Sequence, residues 1–176
     1  MNLGLLVLRL VLGLLLAGHG AQKLFGLFGG HGLRGTAGFF EQIGLKPGHV
    51  HATAAGLLEF GGGLLLALGL ITPFGSAALI AVMTAAVITV HAPKGVWSTD
   101  GGYEYNLLIA AAAFALAAVG AGGWSLDHAL SLNIHGVLWG IGALVAGSIG
   151  GAGAVLAGRM QARREAPTPA QRPTTA

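Results

Sequence analysis

Cysteine is absent from the 176 residues. The chain therefore forms no disulfide, offers no thiolate and builds no Cys-ligated metal or iron–sulfur centre. Any redox chemistry in which it takes part belongs to a bound group or to another protein. Charge is scarce as well. Asp, Glu, Lys and Arg make up 9% of the residues, against about 25% in an ordinary soluble domain. With 54% hydrophobic residues and a mean hydropathy of +0.75, this composition describes an integral membrane protein. The formal net charge of +3 and a pI near 9.8 do not indicate nucleic acid as a partner. The basic residues are thinly spread over loops and tail, which suits membrane orientation instead. The abundant residue is glycine, 32 in all. In apolar segments glycine lets helix backbones approach closely, which matters where lipid offers no hydrophobic drive between helices.

Residues 3–21, 51–71, 74–90 and 103–120 read as four membrane helices, and the uncharged stretch 134–158 as a fifth. Nineteen residues at about 1.5 Å each cover about 28 Å, close to the hydrocarbon thickness. The expected fold is thus all-α: a membrane helical bundle with a four-helix core in 1–128, an added helix in 129–158, and a disordered polar tail in 159–176. The long loop after the first span carries a short interfacial helix at 36–43, with Phe39, Phe40 and Ile43 toward lipid. Residues 30–35 match G-x-G-x-x-G, but the dinucleotide motif needs a strand before it, and a membrane helix stands there. His31, His49 and His51 read as solvated or interfacial, and His128 and His135 carry no signal.

Five spans place Lys23, Arg34, Lys46, Lys94, Arg159, Arg163, Arg164 and Arg172 on one side. The positive-inside rule then sets a plasma (inner) membrane protein with its N-terminus outside and its C-terminus in the cytoplasm.

Glu59 lies within GLLEFGGGLLLALGLITP (56–73). A carboxylate near the middle of a membrane helix costs about 2.5–3.5 kcal/mol and therefore faces the bundle interior. Gly56 and Gly63, at i−3 and i+4, mark its face as one that another backbone approaches. Arg9 and His19 interrupt the first span. By helix rise Glu59 lies between them in height, and a ten-residue separation places them about 80° apart on their helix. Two readings follow. Arg9 and Glu59 form a pair that holds the bundle, or a polar pocket opens at the inner surface. The catalytic candidates are Glu59, Arg9 and His19. The substrate-binding candidates at the same inner end are Gln22, Lys23, His91, Tyr103, Glu104 and Asn106. No metal site is expected, since no H-x-x-x-H or E-x-x-H pair supports one.

Four segments carry a resemblance: RLVLGLLLAGHGAQKLFGLFGG, the Glu59 segment above, DGGYEYNLLIAAAAFAL and GGWSLD. Over residues 3 to 128 the chain resembles the DoxX family of small bacterial membrane proteins. The resemblance implies a four-helix membrane bundle and points to Arg9, His19, Gln22, Lys23, Glu59, Glu104 and Asn106 as family polar positions. It also implies an oxidoreductase subunit, because the family takes its name from a subunit linked to quinone-dependent thiosulfate oxidation, and some members are associated with partner redox enzymes. The expectation is a quinone-interacting or redox-partner membrane subunit with no cofactor motif of its own, bound quinone being the one ligand implied. The alternatives are a small proton-linked transporter and a scaffold that holds a soluble redox enzyme at the membrane.

Overall fold

The computed structural model describes residues 2–165. It is built of helices in the order α1 (Asn2–Phe25), α2 (Gly32–Gln42), α3 (Gly48–Leu68), α4 (Thr72–Ala86), α5 (Glu104–Val119), α6 (Leu126–Ala129) and α7 (Val137–Glu165). Four stretches are long and apolar enough to cross a membrane: α1, α3, Thr72–Lys94 and α7. The third begins as α4 and ends in a π-helical turn, Val87–His91, and a 3-10 turn. At 16 residues α5 is shorter, about 24 Å of helix, so the expected fourth span falls short of the other four.

Small residues decide the packing. Along α1 the buried positions Arg9, Gly13, Leu16, Ala17 and Gly20 recur at helical spacing, and this face meets α3. A Cβ on Gly20 would lie 2.3 Å from Phe60 N, and one on Gly63 would lie 2.5 Å from Gly13 O. The two backbones are therefore in contact, and no other residue fits at these positions. The inner side of α4 is shared by α3, α5 and α7. The buried stripe of α7 includes Gly140, Ala143, Gly147 and Gly151; Gly147 and Gly151 close onto Ala77 O and Ala81 O of α4. The apolar core between α1, α3, α4 and α5 contains Leu12, Leu16, Leu66, Leu79, Met83 and Leu116.

Several boundaries differ from expectation, α1 running on to Phe25 and α3 starting at Gly48. The interfacial helix begins at Gly32 rather than residue 36, and ends at Gln42. The polar tail does not begin disordered at Arg159: α7 continues through Glu165. Three contacts support that extension. Lys46 pairs with Glu165 at 3.3 Å, Lys46 N–H donates to Gly158 O at 3.3 Å, and Arg159 Nη2 donates to Ile88 O at 3.4 Å. The remainder of the expected disordered tail, 166–176, lies outside the described residues.

These contacts also bring the ends of α4 and α7 and the start of α3 to one end of the bundle, where the last turn of α1 carries Lys23. This basic end carries Lys23, Lys46 and Arg159. The opposite end carries the α3–α4 turn and the segment from Gly120 to Ile134.

Candidate functional site

Arg9 and Glu59, expected to meet, are at different ends. Fourteen residues, about 21 Å of helix, separate Arg9 from Lys23, and it is Lys23 that pairs with Glu59. The α1 face explains both. Arg9, Leu16 and Lys23 are seven residues apart, nearly two whole turns each, so all three point toward the neighbouring helices. His19 does not. It lies six residues from Gly13, about 120° round the helix from the α3 contact, and is exposed on the outer surface. His19 therefore does not reach Glu59.

At the basic end Glu59 is 3% exposed. Its Oε2 accepts from Lys23 Nζ, and the Lys23 side chain is 26% exposed. The pair is asymmetric, with a carboxylate inside the bundle and an ammonium at its edge. Lys23 also lines a groove of about 300 Å³ between the end of α1 and α2, with Gln22, His31, Thr36, Phe39 and Phe40 on its walls. Gln22 Nε2 donates to Phe28 O at 3.1 Å, and Thr36 Oγ1 donates to Gly32 O at 2.8 Å. The Phe39 and Phe40 rings are edge to face, 6.1 Å apart. The groove thus offers an ammonium, an amide and two aromatic rings beside a buried carboxylate. Such a groove suits a small planar ligand with acceptor oxygens.

The remaining candidates form a separate group. His91 Nδ1 donates to Gly101 O at 2.7 Å, Ser98 N–H donates to Glu104 Oε2 at 3.0 Å, and Asn106 Nδ2 donates to Met83 Sδ at 3.5 Å. Tyr103 acts through its backbone, which donates to Gly95 O and accepts from Leu107 N–H. These bonds shape the connection from α4 to α5. Among the described residues none of them joins His91, Tyr103, Glu104 or Asn106 to Lys23 or Glu59. No group of three or more His, Asp or Glu side chains among the described residues is placed to hold a metal ion.

At the opposite end Arg9 is 1% exposed. Its Nη1 donates to Ala67 O at 3.3 Å and its Nη2 to Trp124 O at 2.6 Å, while Nε has no partner. Asp127, also buried, accepts from Ile71 N–H at 2.6 Å, Thr72 N–H at 3.1 Å and Thr72 Oγ1 at 2.6 Å. Ile71 is left-handed at φ 39°, a strained state for a β-branched residue, and Asp127 holds it there at the start of α4. Gly69, at φ 62°, lies so close to the Arg9 guanidinium that no Cβ fits. A cavity of about 420 Å³ adjoins this knot, walled by the 119–135 segment with His128 and His135. Arg9 is not on its wall, and both Asp127 oxygens are already engaged.

Asp127 and Thr72, which build this knot, were not among the residues singled out from sequence. A signal existed: with five spans Asp127 is the only acid in the loops on Arg9's side, so the two opposite charges share one end.

The DoxX family model matches residues 4–92, just over half of the chain. The matched region contains Arg9, Lys23 and Glu59. The chain is 31% identical over 115 residues to the protein named "Putative oxidoreductase CatD" of Bacillus subtilis (strain 168), covering 65% of this chain and 79% of that one. No solved structure matches the chain. With apolar helices of membrane-spanning length and a family match over residues 4–92, the chain belongs to the DoxX family of membrane proteins.

Proposed function

We propose that this protein is the membrane subunit of a quinone-dependent redox system and that the groove beside Lys23 receives the quinone headgroup. One observation carries the reading: a buried carboxylate, Glu59, is paired with an ammonium that forms part of the wall of an open groove. A structural ion pair needs no such access. The residues present fit the ligand class. Lys23 has three N–H donors, of which Glu59 takes one. Gln22 has a second amide hydrogen beyond the one given to Phe28. Phe39 and Phe40 present ring surface to a planar head. Bound quinone would supply the two-electron chemistry that no side chain here can perform.

Lys23 is then the residue that touches the ligand, donating to an acceptor oxygen and carrying a proton at the groove wall. Glu59 is a positioning residue. It fixes the ammonium at the edge of the bundle, where an unpaired lysine would extend into water. Electrons come from a separate redox protein. The name of the Bacillus subtilis relative, an oxidoreductase, favours this reading over the transporter and scaffold alternatives. The basic end, with Lys23, Lys46 and Arg159, faces the cytoplasm of a plasma-membrane protein by the positive-inside rule.

The test is bound quinone, quantified by mass spectrometry in protein purified from native membranes, for wild type, Glu59→Gln and Lys23→Met. Near-stoichiometric quinone in wild type, and its loss in both folded variants, is expected. Wild-type protein free of quinone would overturn the proposal.

A further inference from the structure

A second concavity adjoins the groove beside Lys23. Gln22 lines the groove and also this concavity, of about 210 Å³ on the outer face of α1. The other walls of the second are Leu14, Leu15, Gly18, His19 and Phe28. Leu14, Gly18 and Gln22 follow one another at four-residue intervals, so the concavity runs up a single helix face for about 12 Å. Leu14 and Leu15 are exposed there, on a surface that the bilayer covers. Gly18 leaves its middle bare, with nothing within 4 Å of the position a Cβ would take.

The junction between the two concavities is built. Phe28 is left-handed at φ 52°, a strained state for an aromatic residue. The Gln22 amide holds its carbonyl. The strain places the exposed Phe28 ring at the end of the apolar track, beside the residue that lines both concavities. Neither feature is needed to close α1 onto α3, which happens on the opposite face through Gly13, Ala17 and Gly20.

We infer that the site takes a long-tailed amphiphile from the bilayer: a headgroup with acceptor oxygens beside Lys23, and a linear apolar tail along the Leu14–Gly18–Gln22 face of α1. Resting on the headgroup site proposed above, this names the substrate class as a membrane-pool quinone rather than a water-soluble ring. The ligand enters sideways from lipid, past Phe28, and His19 lies along its tail rather than at its head.

The experiment measures affinities of the purified, lipid-reconstituted full chain for decylbenzoquinone and for the tailless parent ring. The variant is Gly18→Leu, which fills the track on an open face. The control is Gly4→Leu, equally open on α1 but outside the track. Wild type is expected to bind the decyl probe more tightly than the parent ring. Gly18→Leu is expected to weaken the decyl probe roughly fivefold, as loss of a handful of dispersion contacts would, with the parent ring unchanged and Gly4→Leu silent for both. Equal wild-type affinities for the two probes would overturn the track while leaving the headgroup site standing; a groove filled by ordinary acyl chains gives that result. Parallel loss of both probes in Gly18→Leu, or the same loss in Gly4→Leu, would also overturn it. Failure of both probes to bind wild type would overturn the headgroup site itself.

Discussion

Each end of the bundle buries a charged side chain of a long helix, Arg9 at one and Glu59 at the other, and the two are used differently. Arg9 is closed in. Its Nη1 and Nη2 donate to the carbonyls of Ala67 and Trp124, and Asp127 at the same end is committed to Ile71 and Thr72. Glu59 is equally buried, yet its partner Lys23 stands at the edge of a groove. Burial of a charge in a membrane helix therefore does not by itself identify a site. The partner's access to a ligand separates a structural knot from a candidate binding centre.

Both ends depend on the α1–α3 contact, so the largest effect is expected there. Gly20→Leu must push its side chain into the backbone at Phe60 and Gly56. A loss of more than about 4 kcal/mol is expected, seen as failure to purify a monodisperse protein in detergent. A Gly20→Leu protein with wild-type melting would show that the two helices are not in backbone contact.

Next comes the closed end. Asp127→Ala leaves the Ile71 and Thr72 amides unpaired and the strained Ile71 unsupported, and should cost about 3 kcal/mol. The protein that remains folded should retain the quinone proposed for the groove. Loss of quinone without loss of thermal stability would mean that this end, not the groove, is the site.

Lys23→Met leaves the Glu59 carboxylate buried without a partner. A cost of about 3 kcal/mol is expected where the carboxylate stays ionised, together with loss of bound quinone. Wild-type quinone content in this variant would remove Lys23 from the site. Glu59→Gln should have the smallest effect on stability, under about 1 kcal/mol, because the amide keeps the shape and Lys23 can extend toward water. Its effect on quinone retention should nevertheless be large. A melting temperature as depressed as that of Asp127→Ala, with quinone still bound, would make Glu59 a structural residue and erase the contrast between the ends.

Much of the fold was readable before the structure. Apolar stretches of about 20 residues carry their own signal, since backbone hydrogen bonds in lipid must be satisfied within the segment. That is why α1, α3, α4 and α7 lie close to their expected ranges. The boundaries at Gly32 and Glu165 were less legible, because they depend on packing: Thr36 across to the Lys23 carbonyl of α1, and Glu165 across to Lys46. The pairing of the candidate residues was not legible. Of those candidates, Gln22 and Lys23 line one groove, and Glu59 pairs with Lys23 behind it. Heights along the helices placed Arg9 and His19 beside Glu59, but rotation about α1 turns His19 away, and the register of α1 against α3 sets Lys23 rather than Arg9 opposite Glu59.

By itself the sequence determined that the chain is helical, lies in a membrane, carries no thiol chemistry and must shield a carboxylate within its helices. These follow from composition and from segment length, which act on each stretch independently. Only the tertiary structure decided that Glu59 answers to Lys23 and Arg9 to the opposite end. That choice depends on the register in which the glycines of α1 press against α3, Gly13 at Gly63 and Gly20 at Gly56, a property of two helices together and of neither alone.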